Sequence, residues 1–221
     1  MATKATTKTK TTKWTKVKVR DAYLRTTLLE GKQPNSVFKF TDDLGMPEAE
    51  FYTFYSSFDA IENEVFREMM VSTLKTVQDD SQYQAFSARE KLLTFYFAHL
   101  EVLVKQRSLV AMKWPELKRR PTTPEWLKGY KEAFLTYART IVGEAIEGEE
   151  IKERRYISDK YDKAFWLQLM FVIDFWIRDT STEFENTDAA IEKAVNLSFQ
   201  LLSDSTLDSI VDFAKFLWQS K

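Results

Sequence analysis

Residues 35–61 read NSVFKFTDDLGMPEAEFYTFYSSFDAI, and this stretch decides the fold of the first part of the chain. Asn35 is of a residue type that caps helix N-termini, and apolar side chains recur at helical spacing after it. Gly45 suits the left-handed position that ends such a helix, and Pro47 suits the start of a second helix. Ser56, with an acid three residues later, has the spacing of a capping box that opens a third helix. A helix, a tight glycine turn and a second short helix predict a helix-turn-helix motif.

The run from Gly45 to Ile61 resembles, without a gap, the recognition-helix signature of the TetR family of regulators. That signature is a glycine, a small polar residue, a leucine-tyrosine pair, an aromatic pair, serine-lysine-glutamate and an aliphatic residue. The segment from Val17 to Gly31, followed by Pro34, resembles the first helix of the same family. The resemblance implies an all-α, TetR-like fold, with an N-terminal three-helix head that contains the helix-turn-helix and a C-terminal helical bundle. It also implies a dimeric one-component transcriptional regulator with a hydrophobic effector pocket in the C-terminal domain.

Acidic residues set this helix-turn-helix apart from the pattern that the family implies. Glu48 and Glu50 stand where serine, threonine, lysine or glycine is usual, and Phe58 stands where a phosphate-contacting lysine is usual. From Phe40 to Phe66 the sequence contains seven acids and no lysine or arginine. Carboxylates repel the phosphates of DNA, unless a cationic segment or a contact from glutamate to cytosine compensates. DNA is therefore an expected partner whose binding the charge of the head opposes.

The first 16 residues form a basic arm that we expect to be disordered, because lysines and threonines dominate it and little of it is apolar. Such an arm suits three roles: a solubilising tail, a contact to a nucleic-acid backbone, or a targeting peptide. We divide the rest into a helix-turn-helix domain (17–60) and a helical ligand-binding and dimerisation domain (61–221). Tyr52 is a candidate DNA contact, although an aromatic residue at its spacing more often belongs to the core. The candidate DNA-contacting residues are Lys13, Lys16, Lys18, Lys39, Tyr52 and Thr53.

Two amphipathic helices beyond the helix-turn-helix domain carry an aromatic stripe. Ser87 and Glu90 are spaced as a capping box ahead of the first of them, and Thr123 and Pro124 suit the start of the second. Together these helices can enclose an aromatic-lined pocket, or they can form an ordinary packed core. His99, the single histidine, is more often a satisfied interior or surface group than a base or a ligand. The candidate pocket residues are Phe97, His99, Tyr130, Phe134, Tyr137, Trp166 and Met170.

The stretch from Tyr161 to Arg178 is apolar nearly all round, which is more than one packing face needs. We therefore expect it to be buried on two sides, either at the centre of its domain or in a subunit interface. Homodimers most often close by two-fold symmetry. With the helix predicted from Asp188 to Leu202, this stretch gives the candidate dimer-interface residues Phe175, Trp176, Leu197 and Leu201.

A second resemblance covers about the last 60 residues of the chain. The turn Trp176 to Phe184, the helix after it and the predicted last helix from Leu207 to Trp218 resemble the lipid-binding accessory family of ubiquinone biosynthesis, itself TetR-like in fold. This resemblance implies an alternative function. In that alternative, the protein binds a lipid or another hydrophobic ligand and has lost sequence-specific DNA binding.

The composition of the 221 residues favours a helical protein without cofactor chemistry. The chain is 44% apolar and has only five glycines and five prolines, so long helices are allowed. There is no cysteine, which excludes disulfides, and one histidine leaves no His/Cys metal site. No nucleophile-base pair or phosphate loop is recognisable, so we expect no enzyme and no cofactor. The most apolar stretch, Ala164 to Ile177, is too short to span a bilayer, and no signal-peptide core follows Met1. We expect a cytoplasmic protein.

Overall fold

The computed structural model describes residues 13–119, 122–155 and 157–204. Residues 1–12, which hold most of the predicted basic arm, and the predicted last helix lie outside the described residues. The chain splits into two compact units, Met1–Ile61 and Glu62–Lys221. Within the described ranges the protein is helical and contains no β-strand, which confirms the all-α fold class.

Nine α-helices lie in the described ranges, joined by loops and short 3-10 turns. None of these helices is long and apolar enough to cross a membrane. Their bounds are α1 Lys16–Glu30, α2 Val37–Asp43, α3 Glu48–Phe54, α4 Phe58–Gln78, α5 Ala88–Val104, α6 Arg107–Lys113, α7 Lys128–Glu147, α8 Tyr161–Arg178 and α9 Glu185–Ser203.

The helix-turn-helix forms as the sequence predicts, with two caps displaced by one residue. Ser36 rather than Asn35 caps α2, since the Ser36 hydroxyl accepts a hydrogen bond from the Lys39 amide at 3.1 Å. Gly45 has a φ of 63°, so it holds the left-handed conformation expected of it between α2 and α3. Ahead of α4, the Ser57 side chain accepts from the Ala60 amide at 3.2 Å, whereas Ser56 was the expected cap.

Four aromatic rings form the core of the N-terminal unit. Phe58 stacks on Tyr23 with ring centroids 4.9 Å apart. The same ring meets Phe40 and Phe51 edge-on, at centroid distances of 5.5 and 5.7 Å. Each of the four side chains is buried. Because α1, α2, α3 and α4 each supply one ring, this cluster fixes the orientation of α3 within its unit.

In the C-terminal unit, α5, α7, α8 and α9 pack against one another. The capping box predicted at Ser87 and Glu90 starts α5, with both of its reciprocal hydrogen bonds present. The second amphipathic helix begins with a 3-10 turn at Glu125–Leu127 and continues as α7. The apolar stretch Tyr161 to Arg178 is one helix, α8, with the predicted bounds.

Candidate functional site

Helix α3 presents a neutral face to solvent with carboxylates at both of its edges. At 100° per residue, Ala49 and Thr53 lie at the centre of the face opposite the buried Phe51. Both are exposed, and Tyr52 beside them keeps 52% of its surface accessible. Tyr52 therefore lies outside the core of the head, and it points towards solvent together with Thr53.

The charged side chains around α3 leave little positive charge on this part of the head. Glu48 and Glu50 lie in the first turn of α3, on opposite edges of the exposed face. Lys39 is the single cation between Val37 and Phe54. It forms an ion pair with Asp43, whose hydrogen bond and charge raise the Lys39 pKa. The positive charge of Lys39 is thus offset by its neighbour on α2.

Phe58 explains why a phosphate-contacting lysine is missing from the start of α4. Its ring is 7% exposed and packs against the rings of Tyr23, Phe40 and Phe51. A lysine at this position would place an ammonium group inside an apolar cluster, at a cost in free energy. The head has gained a fourth core ring where the family implies a cation.

The cations that remain in the described part of the head lie mostly on α1 and just before it. Lys13, Lys16 and Lys18 are exposed. The Lys18 ammonium donates to the Lys13 carbonyl at 2.9 Å, and the Lys16 ammonium lies 5.0 Å from the centre of the Tyr55 ring. Because Tyr55 directly follows α3, Lys16 brings positive charge to the C-terminal end of that helix.

The candidate pocket residues of the C-terminal unit centre on a buried hydrogen-bond chain. The Thr73 hydroxyl donates to the Met69 carbonyl at 3.0 Å, so its oxygen accepts from Nδ1 of His99, 2.7 Å away. Nε2 of His99 then accepts from the Tyr130 hydroxyl at 2.5 Å. Burial lowers the pKa of His99 to about 3 and raises that of Tyr130, so both groups are neutral at neutral pH. These hydrogen bonds join α7, α5 and α4 through uncharged side chains.

Aromatic rings surround this chain in direct contact with one another. His99 stacks on Phe95 with centroids 5.3 Å apart, and Phe134 packs against Phe95 at 5.5 Å. Trp166 meets Tyr130 and Phe134 at 6.1 and 5.9 Å. Five of the seven candidates, His99 and Trp166 among them, are therefore brought together. A ligand would have to part these rings to lie among them. The buried members are His99, Tyr130, Phe134, Tyr137 and Trp166, whereas Phe97 and Met170 are half-buried.

The sequence did not point to two polar partners of this cluster. Thr73 lies on α4, and Tyr83 lies in the 3-10 turn before α5. The Tyr83 and Tyr137 hydroxyls are 3.0 Å apart, and that of Tyr137 donates to the Lys91 carbonyl at 3.1 Å. Thr73 lies on the apolar stripe of α4, four residues after the buried Met69, so a polar residue on that stripe was the signal available in the sequence. Tyr83 lies outside an amphipathic helix, so only its three-dimensional neighbours reveal its place.

An open apolar groove runs between α8 and α9, with a volume of about 530 Å³. Leu167 and Phe171 of α8 are 68% and 51% exposed, and Leu197 and Leu201 of α9 are 56% and 40% exposed. All four side chains line the groove. The predicted interface residues Leu197 and Leu201 thus lie on this exposed surface. Leu167 and Phe171, which the prediction did not include, lie there as well.

The other two predicted interface residues are placed differently. Trp176 is fully buried, and the guanidinium carbon of Arg107 lies 5.1 Å from the centre of its ring. Phe175 is half-buried. Since the Trp176 ring is enclosed by its own chain, it has no surface left for a partner subunit.

Within the C-terminal unit, Glu62 of α4, Lys113 and Glu116 form a buried ionic cluster. The Lys113 ammonium lies 3.0 Å from Oε2 of Glu62 and 2.7 Å from Oε1 of Glu116. Burial lowers the Lys113 pKa, but the hydrogen bonds and charges of the two carboxylates outweigh it and raise the pKa overall. Glu62 is fully buried, so the ammonium of Lys113 balances a carboxylate that has left water.

Among the described residues, no group of three or more histidine, cysteine, aspartate or glutamate side chains is arranged to hold a metal ion.

Comparison with protein families matches the chain to the family described as tetracyclin repressor-like, C-terminal domain. It covers residues 91–217, more than half of the chain. No curated protein matches the sequence significantly.

Solved structures share this architecture at low sequence identity. A protein of Syntrophomonas wolfei assigned to the TetR-family transcriptional regulators is 12% identical, with a TM-score of 0.65, over 86% of this chain and 95% of its own. The regulator FadR from Bacillus subtilis, solved in complex with stearoyl-CoA, is 18% identical, with a TM-score of 0.60, over 82% of this chain and 98% of its own. A protein of unknown function from Rhodococcus sp. RHA1 is 12% identical, with a TM-score of 0.56, over 88% and 99% of the two chains. These likenesses show the fold.

Proposed function

This chain belongs to the tetracyclin repressor-like (TetR) family, and from that premise we propose that it is a dimeric one-component transcriptional regulator of the cytoplasm. In this role the helix-turn-helix binds operator DNA, and the C-terminal unit binds an effector that changes the affinity for DNA. The exposed face of α3 carries the proposal. Tyr52 and Thr53 point to solvent from a helix that four packed aromatic rings hold in place, which suits a helix that reads base edges.

For the effector we propose a hydrophobic molecule that binds among the aromatic rings around His99 and Tyr130. Apolar walls with a few fixed polar groups are the usual lining of a small-molecule site. FadR, whose fold is similar, was solved with an acyl-CoA, which supports an apolar effector as a first class to test. Binding should separate rings that touch in the described structure. The resulting change in tryptophan fluorescence should be smaller in Trp166→Phe than in the unmutated protein, which carries six tryptophans.

For the dimer we propose the α8–α9 groove as the contact surface. A second copy placed on it by a two-fold axis would cover Leu167, Phe171, Leu197 and Leu201, which otherwise expose apolar surface to water. The two subunits would then bind two half-sites of one operator.

Selection of duplexes from a fragmented genomic library with the full-length protein tests the proposed function. Bound fragments should share a palindromic sequence, and a labelled duplex with that sequence should bind the protein more tightly than a scrambled duplex in fluorescence anisotropy. Equal affinity for both duplexes at physiological salt, where non-specific attraction to phosphates is weakened, would contradict a regulator.

The acidic head favours a second candidate, a protein of this fold that binds a hydrophobic ligand without binding DNA. Glu48 and Glu50 flank the exposed face of α3, and the charge of Lys39 is offset by Asp43. If no duplex binds at low salt while the fluorescence of a fatty-acid probe such as cis-parinarate rises on addition of the protein, this second function replaces the first.

A further inference from the structure

The exposed face of α3, which would contact base edges in the proposed function, lacks the side chains that most often recognise guanine. Between Val37 and Phe54 the sequence contains no arginine, and Lys39 is paired with Asp43. An arginine or lysine that donates to O6 and N7 of guanine is the commonest specific contact in the major groove. Within α2 and α3, this contact is therefore weakened or missing.

The same face has acceptors instead of donors. Glu48 and Glu50 are partly exposed in the first turn of α3, the part of a recognition helix that contacts base edges in helix-turn-helix complexes. An ionised carboxylate can only accept hydrogen bonds, and cytosine offers its N4 amino group in the major groove. Between the two acids, Ala49 and the methyl group of Thr53 suit contact with the thymine methyl group.

Carboxylates on a reading helix also weaken binding to every other sequence. Each one is brought close to phosphates, and it loses water without gaining a donor unless the facing base supplies one. A wrong base pair therefore leaves a desolvated, unpaired charge. This repulsion lowers non-specific affinity more than specific affinity, and so it raises the ratio between them.

From these observations we propose that Glu48 and Glu50 are specificity-determining residues that select C·G base pairs through the cytosine amino group. This inference rests on the proposed function, because it requires DNA binding by the head. In this proposal Glu48 and Glu50, which oppose DNA binding in general, make that binding selective for sequence. The operator half-site should then hold cytosine opposite one or both carboxylates, beside thymine that contacts Ala49 or Thr53.

The test compares operator selection from a randomised duplex library by the full-length protein and by Glu48→Gln and Glu50→Gln. At the affected position, a glutamine variant should lose about tenfold preference for C·G and shift towards A·T, because glutamine pairs with N6 and N7 of adenine. A matched variant, Asp21→Asn with Glu30→Gln, removes exposed carboxylates of α1 and should keep the original sequence preference.

Base analogues separate cytosine recognition from guanine recognition at the same pair. Replacing the paired guanine by 7-deazaguanine removes N7 and leaves the cytosine amino group, so affinity should change by less than about twofold if a carboxylate reads cytosine. A tenfold loss would show a donor on guanine and overturn the inference. The same holds if both glutamine variants select the unaltered operator, because the acids would then serve only the N-terminus of α3. Absence of sequence-selective binding by any variant would instead refute the proposed function itself.

Discussion

The Tyr130 hydroxyl donates a hydrogen bond to Nε2 of His99 at 2.5 Å, inside a unit whose aromatic rings exclude water. The other ring nitrogen donates to Thr73, so both nitrogens are used by neutral partners. An imidazolium would have to donate from both nitrogens, and Tyr130 would have to turn its hydroxyl hydrogen away. The cluster therefore holds His99 as the neutral tautomer with its proton on Nδ1.

This arrangement predicts a loss of stability in acid. Burial depresses the His99 pKa to about 3, below its ordinary value of 6.5, so the unfolded chain takes up a proton at a pH where the folded chain does not. The stabilising contribution is complete above the unfolded value and is lost as the pH falls towards the folded one. Between about pH 7 and pH 5, the free energy of unfolding should fall by about 2 kcal/mol from this group alone. Urea titrations of the protein and of His99→Gln isolate the contribution of His99.

The depressed pKa of His99 can also be measured directly, because the chain has a single histidine. Its ring proton signal in an NMR pH titration should stay at the position of neutral imidazole throughout mildly acidic conditions. A midpoint near the ordinary histidine pKa would show that the ring is open to water. The buried hydrogen bonds from His99 to Thr73 and from Tyr130 to His99 would then be wrong.

The apolar α8–α9 groove predicts which substitutions disrupt the dimer. Phe171→Glu and Leu197→Glu should each yield a monomer that keeps its helical circular dichroism spectrum, since both side chains are exposed in the single chain. Trp176→Glu should instead unfold the protein, because that ring is fully buried. Val104→Glu, on an exposed position of α5, serves as a matched control and should remain dimeric. Light scattering that finds the unmutated protein monomeric at micromolar concentration contradicts this interface.

The basic arm predicts the salt dependence of DNA binding. Removing residues 1–13 deletes Lys4, Lys8, Lys10 and Lys13 but keeps Thr15, whose side chain caps α1. If all four cations contact B-DNA, the slope of log affinity against log salt should become shallower by up to about 4 units. Fluorescence anisotropy across a salt series measures it. An unchanged slope would mean that the arm does not contact the phosphates.

The buried ionic cluster predicts an asymmetry between breaking and removing an ion pair. Lys113→Met leaves the carboxylate of the fully buried Glu62 without its ammonium and should cost about 3–5 kcal/mol. Adding Glu62→Gln should recover much of that loss, since the buried side chain that faced the ammonium is then neutral. The exposed pair of Lys128 and Glu125 is the control, and Lys128→Met should leave the free energy of unfolding nearly unchanged, because water screens an exposed pair. Urea denaturation gives all of these values, and an additive double variant would refute the coupling.

The sequence by itself determined the helical elements of this protein, because their signals are local. Ser87 and Glu90 start α5 through backbone hydrogen bonds within one turn, and Gly45 takes the left-handed conformation that its missing side chain allows. The apolar stretch from Tyr161 to Arg178 gave both ends of the 18-residue helix α8. Where two capping residues are adjacent, as at Asn35 and Ser36, the local signal is nearly equal, and the prediction was off by one residue.

The tertiary structure alone decided which apolar side chains are core and which are surface. On α8, Trp176 and Phe171 are equally apolar in sequence, yet Arg107, which is distant in the chain, covers the first and leaves the second exposed. Tyr52 was a candidate DNA contact although its spacing favoured the core, and Phe58 stood in place of an expected phosphate contact. In the structure the rings of three other helices enclose Phe58, whereas Tyr52 remains exposed. Periodicity shows that a helix has an apolar face, but burial depends on which partner covers each part of that face. The partners come from distant parts of the chain, so only the folded structure identifies them.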